Sequence, residues 1–281
     1  MYNKLILSGG GKRGLMLLGA LEYIYQEKRH EISSVDNYIG TSIGSFICYL
    51  IIIGYEPTEI IAYLISNKFF QQFKNMDFVS LSSCEGGFDW DIIRKYLYDL
   101  TQKKYSSHTL TLSELYKKFN KTLTCVTYNY SKQQIEYISH LTHPDLECAN
   151  ALRMTSNIPF YFNKFEYQGN QYIDGCIVNN FPINLLSEHD HALALNVTKM
   201  YINPKDKNIS NYILNLCTII IINNVKNNLD NCKCKNIDII PLEGKNFSTN
   251  NLYVNNNDVF NIFSIGYNSS KKFFENKDLK K

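Results

Sequence analysis

The sequence predicts an α/β fold in which helices pack in layers against a sheet. Twice near its beginning, a short apolar stretch typical of a buried strand is followed by a glycine-rich turn and then by an apolar helix. Later candidate strands are again separated by helices, and this alternation is characteristic of layered α/β proteins. The length of 281 residues is sufficient for one large domain or two small ones.

The candidate elements follow in order along the chain. A strand at residues 4–7 precedes a helix over residues 15–26, where leucines recur at helical spacing. A second strand ends at residues 37–39. It is followed by residues 43–53, which are apolar on every side, as in a helix packed inside a layered core. We expect further strands at residues 123–128, 134–139, 171–173, 192–197 and 237–240.

We expect a single domain, because the sequence has neither a repeat of fixed period nor a linker rich in Pro, Gly and Ser. Residues 1–200 form the predicted core. Residues 201–281, which are rich in Asn, Lys and Ile, form a peripheral C-terminal section packed on the same domain. Residues 69–109 have no clear period and are expected to carry a lid or entry loop. The lysine-rich stretch at residues 271–281 is interpreted as a solvated tail, with contact to a membrane surface as the alternative.

Charge and hydropathy exclude several classes of protein. There are 29 Lys and Arg residues against 26 Asp and Glu, a net charge of +3, whereas a nucleic-acid-binding domain is strongly basic. No apolar run approaches the roughly 20 residues that span a bilayer, and no signal peptide is recognisable at the start. We therefore expect an intracellular, cytoplasmic protein, peripheral at membranes, whose eight cysteines are free thiols.

A glycine cluster follows the first predicted strand. It fits the G-x-G-x-x-G pattern of dinucleotide-binding turns, for which Asp36 would be the ribose-binding acid. Consecutive glycines also allow backbone N–H groups to converge on an anion, as in the oxyanion hole of an esterase. Both interpretations are open at this point. The cluster consists of Gly9, Gly10, Gly11, Lys12, Arg13 and Gly14.

A G-x-S-x-G sequence follows the second predicted strand and precedes the second predicted helix. This setting is the one that a nucleophile elbow requires. Ser42 would occupy the strained turn, and Gly40 and Gly44 would avoid clashes with the neighbouring strand and helix. The hydroxyl would lie at the positive end of the helix, where a developing oxyanion is stabilised. Ser42 is therefore the candidate nucleophile.

A serine nucleophile needs a base, and the sequence offers two kinds. Asp174 ends a predicted strand and is followed by Gly175, which leaves room for a substrate or another backbone. An Asx turn that caps the strand is the alternative role for this aspartate. His189 and His191 follow in the Ser-Asp-His order of α/β-hydrolases, and histidine is the better base near neutral pH. A Ser/Asp dyad and a Ser-Asp-His triad are both candidates.

Taken together, these motifs resemble the patatin-like phospholipase family. That family combines an oxyanion loop of the form G-G-G-x-R-G with G-x-S-x-G and a later D-G-G or D-G-A, and the chain has all three in this order. Cys176 departs from the pattern, because the family usually has glycine or alanine at this position. The motifs lie at residues 9–14, 40–44 and 174–175, with further similarities at residues 19–21, 151–153, 158–160 and 178–182, so the resemblance covers roughly residues 4–197.

The resemblance implies a three-layer α/β/α fold with a central, mostly parallel sheet, and a lipid acyl hydrolase of the phospholipase A type. It implies a Ser42/Asp174 dyad that acts without cofactor or metal on a lipid at a membrane or lipid-droplet surface. Arg13 would steady the loop or attract lipid phosphate. A catalytically silent lipid-binding or interaction module with the same fold is the alternative. The expected oxyanion donors are Gly9, Gly10, Gly11 and Ile43, and the supporting residues are Lys12, Arg13, Gly14, Gly40, Gly44 and Gly175.

Overall fold

Eight strands form one sheet. The computed structural model describes residues 1–74, 86–159, 161–198, 209–244 and 252–279. Within these residues the strands are β1 Lys4–Leu7, β2 Asn37–Thr41, β3 Thr122–Asn129, β4 Gln134–Ile138, β5 Phe165–Tyr167, β6 Asn170–Asp174, β7 His191–Thr198 and β8 Asn236–Glu243. Their order in the sheet is β5-β6-β3-β2-β1-β7-β8, with β4 paired to β3.

The centre of the sheet is parallel. β3, β2, β1, β7 and β8 run in one direction, as their pairwise registers show. The remaining pairs, β3 with β4, β3 with β6 and β5 with β6, are antiparallel. The predicted central, mostly parallel sheet is therefore confirmed.

Helices cover both faces of this sheet. They are α1 Gly14–Glu27, α2 Ile43–Ile52, α3 Pro57–Ser66, α4 Asp91–Lys104, α5 Leu112–Phe119, α6 Cys148–Ser156, α7 Cys176–Asn179, α8 Ile209–Asp230 and α9 Asn256–Asp278. Side chains along β1 alternate between the two faces, so Leu5 and Leu7 join the larger core and Ile6 joins the smaller one. The larger core is shared with α1, α2 and α9. The smaller lies beneath α8 and the segment after α7, which gives the expected three layers.

The segment of residues 69–109 differs from its prediction. It contains a short 3-10 helix, Phe69–Phe73, and the regular helix α4. Ile93, Leu97 and Leu100 are buried at helical spacing in α4, so the expectation that this part lacks a period is wrong. The apolar face of α4 is narrow, and charged residues stand between these three positions, so its helical period is hard to recognise in the sequence. Residues 75–85 of the segment lie outside the described part of the chain.

The segments after residue 208 add to the same layers. β8 extends the sheet beside β7, and α9 packs along α1. The two helices approach until their backbones nearly touch, because a Cβ on Gly19 would lie 1.9 Å from the Phe263 carbonyl oxygen. A Cβ on Gly266 would likewise lie 1.9 Å from the Met16 carbonyl oxygen. Glycine at both positions permits this contact.

The apolar helix α2 is a core element, buried from Gly44 to Ile52. Across the described ranges, no single helix is long and apolar enough to cross a membrane. α2 and α3 reach that length and composition only as a pair, with a bend of 114° between them.

Candidate active site

Ser42 lies in the sharp turn between β2 and α2. Its φ of 53° and ψ of −125° fall in a region that non-glycine residues rarely occupy and that nucleophile elbows use. A Cβ on Gly40 would lie 2.4 Å from the Ser45 nitrogen, and one on Gly44 would lie 2.3 Å from the Leu7 carbonyl oxygen. Gly40 therefore lets β2 and α2 meet closely at the turn, and Gly44 lets α2 approach the end of β1.

The strand register brings Asp174 to the same place. Val126 of β3 is the partner of Thr41, and the next residue, Thr127, is the partner of Asp174. β4 occupies the other edge of β3, so β2 and β6 share one edge and, running in opposite directions, meet at their carboxyl ends. As a result the Ser42 hydroxyl donates to Asp174 Oδ2 over 2.8 Å.

The Asp174 carboxylate is fully buried and is held at both oxygens. Oδ2 accepts the Ser42 hydroxyl, and Oδ1 accepts the Cys176 N–H over 2.7 Å. The second contact is an Asx turn, so the aspartate fills its alternative predicted role as well. Burial raises the pKa of Asp174 from 3.8 to about 6, against the opposing effect of the Cys176 N–H and the Ser42 hydroxyl. At pH 7 this carboxylate is ionised and more basic than an exposed one.

The N–H groups of the glycine loop and of Ile43, the residue after Ser42, differ in their hydrogen bonding. The Gly9 N–H donates to the Asn180 carbonyl oxygen over 3.1 Å, so the expectation that Gly9 is an oxyanion donor is corrected. Among the residues that the structure describes, no acceptor takes the N–H of Gly10, Gly11 or Ile43. These three groups therefore stay available to a developing oxyanion.

The charged residues of the loop have different surroundings. Arg13 is fully buried, and its Nη1 donates to the Thr198 carbonyl oxygen over 3.4 Å. Desolvation lowers the pKa of Arg13 to about 10. A side chain enclosed in this way steadies the loop against β7 and does not reach a lipid headgroup. Lys12 is half-buried, and desolvation lowers its pKa while the carboxylate of Asp258 opposes the shift. Gly14 begins α1.

Thr155 is a site residue that the sequence did not reveal. Its Oγ1 accepts the Ser42 N–H over 3.0 Å and donates to the Val126 carbonyl oxygen. The Thr155 carbonyl oxygen accepts the Gly175 N–H over 3.3 Å. One buried residue of α6 thereby holds both the nucleophile turn and the turn after Asp174. No local motif marks it, and only the similarity at residues 151–153 pointed to this helix.

The strand register places His191 far from Ser42. His191 begins β7, one residue before Ala192, which is level with Lys4 and through it with Asn37. Ser42 lies five residues beyond Asn37, so the two levels differ by six residues, or ~20 Å at the rise of a parallel strand. His191 is therefore at the amino ends of the parallel strands, whereas Ser42 follows the carboxyl end of β2.

His189 and Asp36, the other two alternative site residues, also lie at the amino ends of the strands. His189 lies in the turn that leads into β7, so neither histidine completes a triad with Ser42 and Asp174. Asp36 is exposed and precedes β2, whereas dinucleotides bind at the carboxyl ends of parallel strands. The dinucleotide interpretation is excluded because its acid is at the wrong end of the strand.

An apolar pocket with a volume of about 130 Å³, partly open to solvent, is lined in part by Ser42. Four of its lining residues, Lys12, Ser42, Tyr96 and Ser156, carry polar side-chain atoms. Aliphatic and aromatic side chains form the rest of the wall. They are Leu15, Leu18, Ile43, Phe46, Ile47, Leu50, Ile60, Leu64, Phe69, Phe70, Phe73, Ile93, Leu97, Leu100, Ile158, Phe162 and Leu252, with Gly11 and Gly14 at the loop.

Comparison with protein families identifies the chain. The profile of the Patatin-like phospholipase family matches residues 5–187, which include the glycine loop, the elbow and the aspartate turn. The chain belongs to the patatin-like phospholipase family. The sequence resemblance is thereby confirmed, and the terms hydrolase, phospholipase and lipid metabolism apply to the family in which the chain is placed.

This patatin-like chain has relatives in viruses and bacteria. It is 33% identical over 226 residues to "Probable lipid hydrolase 463L" of Invertebrate iridescent virus 6, covering 78% of this chain and 70% of that protein. It is 29% identical over 221 residues to "Uncharacterized protein YqhO" of Bacillus subtilis (strain 168), covering 70% and 71% of the two chains.

Solved structures share the fold of this patatin-like chain. VipD from Legionella pneumophila matches with a TM-score of 0.57 at 16% identity, over 98% of this chain and 67% of VipD. The type III effector ExoU, from Pseudomonas aeruginosa, matches with a TM-score of 0.55 at 10% identity over 99% of this chain. The chain spans about half the length of ExoU, 53%.

Proposed function

We propose that the protein is a serine lipid acyl hydrolase of the phospholipase A type. It cleaves ester bonds of phospholipids or related lipids at a membrane or lipid-droplet surface on the cytoplasmic side. The observation that carries this proposal is the 2.8 Å hydrogen bond from the Ser42 hydroxyl to Asp174 Oδ2 at the wall of an apolar pocket. Family membership and the lipid hydrolase name of the iridescent virus relative support the reaction class.

The geometry supports a two-step mechanism. Asp174 accepts the Ser42 proton as Ser42 Oγ attacks the ester carbonyl, and it then passes the proton to the departing alcohol. The raised pKa of Asp174, about 6, suits this exchange, because an ordinary carboxylate would hold a proton too weakly. The N–H groups of Gly10, Gly11 and Ile43 stabilise the oxyanion. Water, deprotonated by the same carboxylate, then attacks the acyl-enzyme, and Asp174 returns the proton to Ser42 Oγ as the bond to the acyl group breaks.

The pocket supports a long acyl chain as the bound group. Its wall beyond Ser42 is built from leucine, isoleucine and phenylalanine side chains of α1, α2, α3 and α4. Burial of methylene groups against such a wall is favourable by about 0.8 kcal/mol for each group. A polar headgroup gains nothing there, so the acyl chain occupies the pocket and the headgroup remains at its opening.

The silent-module alternative is disfavoured by the same contacts. A protein that only bound lipid would need neither a serine in a strained turn nor a carboxylate desolvated against it. Ser42 also lines the pocket directly.

Labelling and turnover with matched variants test the proposal. A fluorophosphonate probe reacts only with an activated serine, so the wild-type protein is expected to be labelled and Ser42→Ala to remain unlabelled. Wild type is expected to release fatty acid from phosphatidylcholine, with a chelator present, and Ser42→Ala is expected to release none. Equal labelling of both proteins, or equal fatty-acid release, would remove Ser42 as the nucleophile. A wild type that neither labels nor hydrolyses any lipid would favour the silent module.

A further inference from the structure

Lys12 supplies a positive charge to the wall of the Ser42 pocket. Among the residues that the structure describes, no other charged side chain lines this pocket, and the rest of the wall is apolar except for the hydroxyl groups of serine and tyrosine. No carboxylate in the described wall balances the lysine. The pocket therefore suits a ligand that carries an anionic group on an apolar chain.

The ammonium group of Lys12 is accessible and has no ion-pair partner within the described ranges. Asp258 attracts it from beyond ion-pair distance, and Asp258 Oδ2 already accepts Asn255 Nδ2 over 2.7 Å in the cap of α9. Lys12 Nζ does not belong to the buried side-chain atoms that lack a hydrogen bond, so it reaches solvent. Desolvation nevertheless lowers the pKa of Lys12. An anion beside Nζ would compensate the charge that the protein leaves partly unbalanced.

Arg13, the neighbouring cation of the loop, is placed differently. It is fully buried, its Nη1 donates to the Thr198 carbonyl oxygen over 3.4 Å, and it does not line the pocket. The guanidinium group is therefore enclosed against β7. Of the two adjacent cations, Lys12 is the one that a ligand in the pocket can reach.

The position of Lys12 in the loop brings its ammonium group close to the alcohol part of a bound ester. Lys12 follows Gly11, an expected oxyanion donor, and the two Cα atoms are ~3.8 Å apart. With the acyl chain in the pocket and the ester carbonyl at Ser42, the alcohol part remains at the opening. Lysine extends a four-carbon stem along apolar surface and keeps its ammonium group in water. In a glycerophospholipid only the glycerol carbons separate the phosphate from the ester, so the phosphate lies within reach of Lys12.

We propose that Lys12 Nζ binds the phosphate of a phospholipid whose acyl chain occupies the pocket, and that this contact selects phospholipids over neutral acylglycerols. The inference rests on the proposed function, to which it adds the charge of the preferred lipid. An ammonium group is a point charge and suits the single charge of a phosphodiester. A neutral acylglycerol has no group that this charge could stabilise.

Matched substrates test the contact. Phosphatidylcholine and diacylglycerol with identical acyl chains are presented in micelles of a neutral detergent, and kcat/KM is measured for each. Lys12→Gln is expected to lower the ratio of the two values, phosphatidylcholine over diacylglycerol, about tenfold, as for loss of a hydrogen bond to a charged group. The change should appear mainly in KM, because the phosphate is bound equally in the ground state and the transition state. An unchanged ratio overturns the proposal.

Two further variants separate the charge of Lys12 from other effects. Lys12→Arg keeps the positive charge and is expected to retain most of the preference for phosphatidylcholine. Lys117→Gln removes the same charge from the exposed side of α5, outside the pocket wall, and is expected to leave the ratio as in the wild type. Equal losses on both substrates in Lys12→Gln would assign Lys12 to the oxyanion loop and overturn the phosphate contact. A ratio lowered as much by Lys117→Gln would overturn it as well.

Inhibition distinguishes the phosphate of a lipid from free phosphate. A diether analogue of phosphatidylcholine, which has no ester to cleave, is expected to inhibit diacylglycerol turnover by the wild type and to inhibit Lys12→Gln about tenfold less. Inorganic phosphate is expected to inhibit neither protein, because it gains nothing from the apolar wall. Inhibition by inorganic phosphate as strong as that by the diether lipid would indicate a site for free phosphate and overturn the assignment to a lipid.

Binding to an inactive protein separates this inference from the proposed function. Ser42→Ala is expected to bind the diether phosphatidylcholine more tightly than the diether of glycerol with the same chains. The double variant Ser42→Ala with Lys12→Gln is expected to lose this difference. If the difference is found but the wild type hydrolyses no lipid, the proposed function fails and the phosphate contact stands. If lipids are hydrolysed but Lys12→Gln leaves the ratio unchanged, the contact fails and the function stands.

Discussion

The turn at Ser42, together with Asp174, and the contact between α1 and α9 act in opposite directions on the free energy of folding. At the turn, Ser42 is held at a φ of 53° and the ionised Asp174 is completely removed from water. At the helix contact, Gly19 and Gly266 let two long helices meet along their backbones with no strained residue between them. The first region is locally unfavourable, and the second is locally favourable.

The difference shows how this fold maintains a strained site. A residue in a sparsely populated region of φ and ψ persists only when the surrounding structure leaves it no alternative. Here β2, β3 and β6 fix the ends of the two strands, and the large core behind them is closed by α1 and α9. Substitutions in the two regions should therefore separate activity from stability.

The largest effect on activity is expected from Asp174→Asn. The amide cannot accept the Ser42 proton, so turnover of any ester should fall about a thousandfold, within the range for loss of a general base. The measurement is kcat for a short-chain ester, with circular dichroism to show that the variant is folded. Turnover equal to wild type would exclude Asp174 as the base.

The same substitution should raise stability. The folded pKa of Asp174, about 6, lies above its usual 3.8, so the folded state binds its proton more tightly than the unfolded state does. Stability of the wild type therefore falls as pH rises from about 4 to 6 and stays lower at pH 7. The shift of about two units corresponds to about 3 kcal/mol. Urea unfolding of both proteins at pH 4 and pH 7 is expected to show the advantage of Asp174→Asn growing with pH.

The largest effect on stability is expected from Gly266→Val. Its side chain would collide with the Met16 carbonyl oxygen, and α9 would have to move away from α1. We expect a loss of about 3 kcal/mol, at the upper end for overpacking. Ser264→Val, on the exposed side of the same helix, is the matched control and should cost no more than about 0.5 kcal/mol. Equal urea midpoints for the two variants would contradict the close helix contact.

The pH dependence of wild-type turnover tests the raised pKa of Asp174 without a mutation. Asp174 must be ionised to act as a base, so kcat/KM should fall as pH drops through about 6 and should be about tenfold below its plateau at pH 5. A rate that stays level down to pH 5 would show that the carboxylate is not desolvated in the working enzyme.

The sequence was sufficient to predict the parts of the site that depend on neighbouring residues. Gly40, Ser42 and Gly44 form one turn, so their spacing alone indicates the elbow. The role of Thr155 depends on contacts to Ser42 and Val126, 113 and 29 residues away, and no local pattern carries that information. The loss of Gly9 as a donor has the same cause, because its acceptor comes from a distant turn.

For the fold, too, the elements with a clear local pattern could be predicted from the sequence. β1, α1, β2 and α2 were predicted because their residues are apolar throughout or at regular spacing. α4 was missed because its apolar face is narrow. α8 was not predicted because isoleucines lie on both its buried side, at Ile221, and its exposed side, at Ile219 and Ile220. Periodicity tells which side of a helix is apolar, but the tertiary structure decides whether that side faces the core.

Thr155→Val is expected to have the smallest effect and to test how the scaffold holds the strained turn. Valine has the same shape but cannot accept the Ser42 N–H, so that buried group loses its partner at a cost of about 1–3 kcal/mol. We expect kcat to fall about fivefold with KM unchanged, because the nucleophile is displaced while the acyl pocket is intact. Thr155→Ser, which keeps the hydroxyl, should restore kcat. If serine fails to restore it, the methyl group and its packing, not the hydrogen bond, position Ser42.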